Sequence, residues 1–154
     1  MLNIRKFQKG DESALREIFF NTIRNVNVKD YSEAQVQAWA PDNYDATTWY
    51  ERISFVDPFV AILEEIIVGY ADLQDNGYID HFFCHCNYQG KGIGKSLMQK
   101  IIATGKSKGI ERLYSHVSIT AKPFFEHFGF QVVTEQQVEI RGQVLTNYVM
   151  EKLV

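Results

Sequence analysis

Residues Gln89-Gly90-Lys91-Gly92-Ile93-Gly94 stand between an apolar stretch, Ile79 to Cys86, and a helical pattern in which Ile93, Leu97, Met98, Ile101 and Ile102 recur on one face. A strand that runs into a glycine-rich turn and then a helix aims several unpaired backbone N–H groups one way, and the helix dipole adds partial positive charge there. The chemistry of such a junction is anion binding, phosphate above all. A Cβ would hold a bulky anion away from the amides, and glycine takes up the turn's unusual dihedrals at little cost. Spacing narrows the use. A dinucleotide-binding G-x-G-x-x-G counted from Gly90 needs a glycine where Lys95 stands, so that fingerprint fails. Gly94-Lys95-Ser96 supplies the G-K-S ending of a nucleoside-triphosphate loop, but the first glycine of G-x-x-x-x-G-K-S falls on Gln89, and this reading stays only as an alternative.

The cluster His81, Cys84, His85 and Cys86 raises the question of zinc. Alternation along one strand puts both histidines on one face and both cysteines on the other, so no metal site is expected. The cysteines also lie too close along a strand to face one another, and no disulfide is expected.

The elements that must position this junction follow from periodicity. Asn3 to Lys6 alternates like a short strand, and Asp11-Glu12-Ser13 opens a helix with an apolar stripe of Leu15, Ile18, Phe19 and Ile23. Tyr31 to Trp39 reads as a second helix stopped by Pro41, and Asp45 caps a third that carries Trp49 and Ile53. Strands are expected from Pro58 to Leu63 and from Ile66 to Leu73, and Asp75-Asn76-Gly77 turns the chain into the strand that ends at the glycine-rich loop. The helix after the loop closes near Lys108-Gly109. A strand from Arg112 to Val117, a helix from Ala121 to Phe128 and two long strands joined around Arg141-Gly142 complete the chain. This order implies an α/β sheet with helices on both faces and a closing antiparallel hairpin.

At 154 residues the chain is expected to form one domain spanning residues 1–154. A net charge of -3 gives no basic footprint, which argues against nucleic acid and anionic membrane as partners and for a small diffusible substrate. No apolar run is long enough to span a membrane, and Met1 to Lys6 lacks the apolar core of a signal peptide, so a cytoplasmic protein is expected.

The loop's Q-x-x-G-x-G, Gln89 to Gly94, resembles the acetyl-coenzyme A signature of the GCN5-related N-acetyltransferase (GNAT) family. Val117-Ser118-Ile119-Thr120-Ala121-Lys122-Pro123-Phe124-Phe125-Glu126-His127-Phe128-Gly129-Phe130 resembles the family's second signature: a strand end, an A-x-x-F-Y-E helix and a closing G-F. Phe59 to Ile62, the turn at Glu64-Glu65 and Val68 to Leu73 are similar to its central hairpin. Ala38-Trp39-Ala40-Pro41, the P-F-F helix and Leu145-x-Asn147-x-x-Met150 further resemble a small bacterial, YafP-like branch.

The resemblance implies a mixed, mostly antiparallel central sheet whose middle strands, ending near Cys86 and Val117, splay to admit the pantetheine arm. It also implies an acetyl-coenzyme A-dependent N-acetyltransferase that moves an acetyl group to the amine of a small molecule by direct attack in a ternary complex. A homodimer is compatible with it. The amides of Gln89, Gly90, Lys91, Gly92, Ile93 and Gly94 would then hold the pyrophosphate, with Lys95 and Ser96 adding donors. Cys84 and Cys86 stand where the family usually has valine and proline, and their backbone would bond pantetheine and polarise the thioester. Ser118 occupies the place of a cofactor-contacting asparagine, and Phe124 and Phe125 lie in the second signature.

On the same resemblance, Asp80 is the carboxylate that would take the amine's proton through a water, with Tyr78, His81 and His116 as competing bases. The sequence departs from the family at Phe125, where a tyrosine commonly protonates the thiolate. Tyr114 and Tyr148 are the replacement candidates, unless water or the ammonium proton suffices. Tyr31, Trp39, Tyr44 and Trp49, with Tyr78 and His81 on the strand, are candidates for the acceptor pocket, Trp39 foremost because its helix must end at Pro41. The alternative from another class is a module that binds acetyl-coenzyme A without turnover.

Overall fold

The computed structural model describes residues 1–154 and contains two four-stranded sheets. In the first, β1 (Leu2–Lys6), β2 (Phe59–Leu63), β3 (Ile66–Ala71) and β5 (Phe82–Cys84) run antiparallel in that order. Glu64 and Glu65, both at positive φ, form the two-residue turn between β2 and β3, the backbone that matches the twist of a tight hairpin. In the second, the order is β4 (Tyr78–Ile79), β6 (Arg112–Ser118), β8 (Gln143–Leu153) and β7 (Gln131–Ile140), parallel only between β4 and β6. The mixed, mostly antiparallel architecture is the one expected.

Strand alternation divides the core. Val60 and Tyr70 point to the face covered by α1 (Glu12–Asn25), α2 (Glu33–Trp39) and α3 (Ala46–Val56), where Leu15, Ile18, Ile23, Val36 and Ile53 are buried. Ala61 points the other way by alternation and Val68 by a bulge, where β3 carries one extra residue against Ala61-Ile62; both face Ile93, Leu97, Met98 and Ile101 of α4 (Ile93–Ser107) and Phe125 of α5 (Lys122–His127). Each such aliphatic side chain contributes roughly 1.5–3 kcal/mol by leaving water. No helix is long and apolar enough to cross a membrane.

The single strand expected between the Asp75-Asn76-Gly77 turn and the loop is instead divided. It breaks at Asp80-His81 into β4, which joins one sheet, and β5, which joins the other. The cause is Asp72, fully buried just past β3. Its Oδ1 accepts hydrogen bonds from the amides of Asp80 (2.9 Å) and His81 (2.6 Å), so two donors withdrawn from the ladder are still satisfied. With the strand broken, the face argument used against zinc no longer holds: Cys86 opens a 3-10 turn, Cys86–Tyr88, whose cap is His85. Tyr31 also lies outside the helix it was expected to begin. Ser32 caps α2 through a capping box with Gln35, and a 3-10 turn at Asn27–Lys29 precedes it.

Gly77 feeds the chain into β4 at φ +92, its carbonyl accepting from the Tyr114 amide, and a Cβ there would lie 1.9 Å from the Arg112 carbonyl oxygen. Gly77→Ala is therefore expected to lose roughly 3 kcal/mol of stability, combining left-handed strain with a backbone clash. Gly142→Ala, at φ +83 but in open space, should lose only about 1 kcal/mol. Urea unfolding checks both, and equal losses would refute the clash.

Candidate functional site

Pairing between β4 and β6 ends at Ile79 and Ser115. Beyond that point β5 turns to β3 while β6 pairs only with β8, and a gap opens between β5 and β6. The His85 amide donates to the Val68 carbonyl (2.8 Å), so ladder alternation turns the backbone of Cys84 away from β3 and into the gap. Its carbonyl accepts from Thr22 Oγ1 (2.7 Å) and Gln89 Nε2 (3.1 Å), while its N–H has no partner within the protein.

The glycine-rich loop lies beside this gap. Gly90 and Gly92 sit at φ +76 and +78, and Gly92 is the N-cap of α4 with no capping side chain. The first helical hydrogen bond runs from the Ser96 amide to the Gly92 carbonyl, and the amides of Gly90 through Lys95 find no acceptor in the protein. These donors at the positive end of a helix fit a diphosphate. The position a Cβ would take at Gly94 is 3.0 Å from the Phe124 ring and 3.5 Å from Cys84 Sγ, which is how closely α4, α5 and β5 converge. Burial pushes the Cys84 thiol up to about 12, so it stays protonated and is no nucleophile.

The gap opens into a cavity of about 870 Å³. Tyr31, Trp39, Tyr78, Asp80, His81, Cys84, Gln89, Gly94, Ser118, Phe124 and Phe125 line it, as do Tyr44, Trp49 and His116. Cys86, Gly90, Lys91, Gly92, Ile93, Lys95 and Ser96 do not line it and belong to the loop and first helical turn beside it. Tyr114 and Tyr148 lie outside: Tyr114 packs between the Tyr78 ring (5.1 Å) and the Arg112 guanidinium (4.5 Å), and Tyr148 lies under Lys122 Nζ (5.0 Å). Several lining groups are already committed. Tyr31 Oη donates to the Thr146 carbonyl and accepts from the Ile119 amide, Trp49 Nε1 donates to the Glu12 carbonyl, and Ser118 Oγ accepts from the Ala121 amide.

Asp80 is paired by Arg52, whose Nη2 lies 3.2 Å from its Oδ2. Arg52 Nε also donates to His81 Nε2 at 3.4 Å, which leaves the proton of the neutral ring on Nδ1, donated to Tyr70 Oη at 3.2 Å. Burial pulls His81 down to about 4 and pushes the Tyr78 phenol up to about 12. Asp72 is pushed up to about 6, again by burial, with the neighbouring Asp80 charge acting in the same direction and its hydrogen bonds opposing. The sequence reading gave no role at the site to Arg16, Arg52, Asp72 or Arg141. Asp72 carried a signal, an acid closing an apolar strand; the arginines reach the site only through tertiary contacts.

Comparison with known proteins bears on this geometry. The acetyltransferase (GNAT) domain family matches residues 27–152. The uncharacterized N-acetyltransferase YafP of Escherichia coli (strain K12) is 36% identical over 149 residues, 97% of this chain and 94% of its own. Among solved structures, a GCN5-related N-acetyltransferase from Rhodopseudomonas palustris, which also carries the description aminotransferase, class-II, superposes with a TM-score of 0.94 at 28% identity, covering 99% of this chain and 95% of that one. PaiA N-acetyltransferase from Thermoplasma acidophilum, in complex with coenzyme A, shares the fold with a TM-score of 0.75 at 20% identity, covering 100% of this chain and 99% of that one.

The two shifted groups at the strand break give stability opposite pH dependences. His81 is depressed below its ordinary 6.5, so its contribution is present above that value and is lost as pH falls toward about 4. Asp72 is raised above its ordinary 3.8, so its contribution is present below that value and is lost as pH rises through about 6. Between these limits they offset one another. Asp72→Asn removes one, and its unfolding free energy should fall more steeply than the wild type's between pH 6 and 4, by up to roughly 1.4 kcal/mol per pH unit. Denaturant unfolding across that range checks this; parallel curves would refute it.

Proposed function

The chain belongs to the GCN5-related N-acetyltransferase family, an acyltransferase that uses acetyl-coenzyme A, and we propose that it acetylates the amine of a small molecule by direct attack in a ternary complex. The observation that carries this reading is the gap between β5 and β6. Around it gather the unpaired amides of the loop, the unpaired Cys84 amide and the Asp80 carboxylate, all beside one cavity.

Acetyl-coenzyme A supplies the acyl group already activated as a thioester. The amides of Gly90 through Lys95 hold its pyrophosphate, and Lys95 and Ser96 add donors in the first helical turn. The Cys84 N–H, directed into the gap, polarises the acyl carbonyl and stabilises the charge that develops on its oxygen. Asp80 takes the proton of the incoming ammonium through a water. Two of its three competitors are disabled: His81 has both ring nitrogens engaged and Tyr78 holds its proton, while His116, edge to face with Tyr78 at 5.4 Å, stays on the cavity wall as the alternative base. Phe125 has no proton to give and Tyr114 and Tyr148 lie off the cavity, so the thiolate leaves as such or takes a proton released by the amine. Tyr31 and Trp39, edge to face at 5.6 Å, form part of the acceptor wall.

Gly92→Asp puts a side chain and a like charge at the phosphates, in a position with nothing within 4 Å to clash. It is expected to abolish acetyl-coenzyme A binding while the protein stays folded, and unchanged affinity by calorimetry would sink the loop assignment. A chelator should leave wild-type binding unaffected, whereas a triphosphate loop would need magnesium.

Asp80→Asn should keep cofactor affinity and lower turnover by about 10²-fold, with loss of the acid limb of the rate profile. Near-normal turnover in the mutant would remove Asp80 as the base.

A further inference from the structure

Arg16 of α1 lines the cavity at 7% exposure, and its charge has no carboxylate partner. Arg5, Arg24, Arg52 and Arg112 each pair with an acid; only Arg16 and Arg141 do not. Aromatic rings surround the guanidinium: Tyr44 at 4.3 Å, Phe19 at 5.2 Å and Trp49 at 5.3 Å from its carbon. Rings stacked on a planar cation hold it in place and leave its edge, where the donors are, as the direction of approach.

Those donors are mostly unused. Nη2 donates to the Pro41 carbonyl at 2.9 Å. Nε is buried without any partner, and Nη1 makes no hydrogen bond within the protein and is not among its fully buried atoms. A guanidinium this buried cannot shed its proton near neutrality, and its desolvation is offset only in part by the rings and one carbonyl.

The acids nearby cannot serve it. Of the carboxylates lining the cavity, Asp80 is held by Arg52 and Asp45 caps α3 through the Thr48 amide (2.9 Å). Arg141 brings a second unpaired cation to the same cavity, anchored through Nη1 on the Ala38 carbonyl. The acceptor pocket therefore has an excess of positive charge. A simple amine, itself an ammonium before it reacts, would be repelled there.

We propose that Arg16 anchors a carboxylate of the acceptor, so that the substrates are amines carrying a carboxylate, amino acids or close analogues. This deepens the acetyltransferase reading and rests on it. The carboxylate's two coplanar oxygens match the edge of the stacked guanidinium, and its charge neutralises the buried cation. Arg141 adds attraction from the β7–β8 turn.

The test compares the proteinogenic amino acids with their own carboxamides, which keep size and amine but lack the charge. Thiol release from acetyl-coenzyme A gives kcat/KM for each. At least one amino acid is expected to exceed its carboxamide by about 10²-fold, chiefly through KM. Arg16→Met should bring that ratio close to one, and Arg16→Lys, which keeps the charge but not the fork, should restore part of it. An arginine that merely braces Pro41 would leave the ratio unchanged.

Carboxamides used as well as acids by the wild type, a comparison that needs no variant, would overturn the proposal while leaving the acetyltransferase reading intact. So would a ratio that survives in Arg16→Met. If acetyl-coenzyme A binds but no amine is turned over, the small-amine reading fails instead. Calorimetry of the acid and carboxamide pairs with the coenzyme A-loaded protein then decides the role of Arg16: preference for acids supports it and equal binding or none overturns it.

Discussion

The geometry of this site depends on one buried carboxylate. A strand that leaves one sheet and joins another must strand backbone donors at the crossing, and an unpaired buried N–H costs about as much as a lost hydrogen bond. Asp72 removes that cost by accepting the amides of Asp80 and His81 on a single oxygen, while Gln74 Nε2 holds the other at 2.7 Å. The divergence of β5 from β6 is thereby made stable, and with it the gap that opens toward the loop. Burial pushes the Asp72 carboxyl up to about 6, so it gains a proton in mildly acidic solution where an exposed aspartate stays ionised.

From that crossing the parts of the site follow in order. The break turns Cys84's backbone outward, orients Asp80 toward the cavity and buries His81 beneath the rings of Phe19, Trp49, Tyr70 and Phe83. Arg52, reaching from α3, bridges Asp80 and His81 and so couples a covering helix to the crossing. The loop contributes the second half. Its glycines reach the left-handed region without strain, and the absence of a side-chain cap leaves the first amides of α4 to a ligand.

The chain departs from its family's usual residues where side chains matter least and keeps the backbone where it matters most. On the proposed mechanism Cys84 would act through its amide, so a small protonated thiol packed toward the Gly94 turn would serve as well as a branched aliphatic. Phe125 has become core, edge to face with Phe82 and Phe130, and offers no proton. A thiolate is a good leaving group near neutral pH, so a dedicated acid is the part of this chemistry most easily dispensed with.

Much of this was legible in the sequence, because it is local. The glycine loop, the amphipathic α1 and α4, the Asp45 cap and the β2–β3 turn all follow from spacing within a few residues, and each is formed as those residues dictate. The crossing at Asp80-His81 was not legible, since the pattern from Ile79 to Cys86 reads as one strand and the group that breaks it, Asp72, acts through hydrogen bonds to backbone eight and nine residues away. The helix expected from Tyr31 begins only at Glu33, after the Ser32 cap, and the Tyr31 hydroxyl is held instead by Thr146 and Ile119, far along the chain. The charge of the acceptor pocket was equally hidden. Periodicity and motif spacing determined the elements, the cofactor loop and the family, because helix caps, turns and amide cradles are short-range. Tertiary structure alone decided which charges are paired and which are left facing the cavity, because pairing depends on distances between side chains that sequence separation does not constrain.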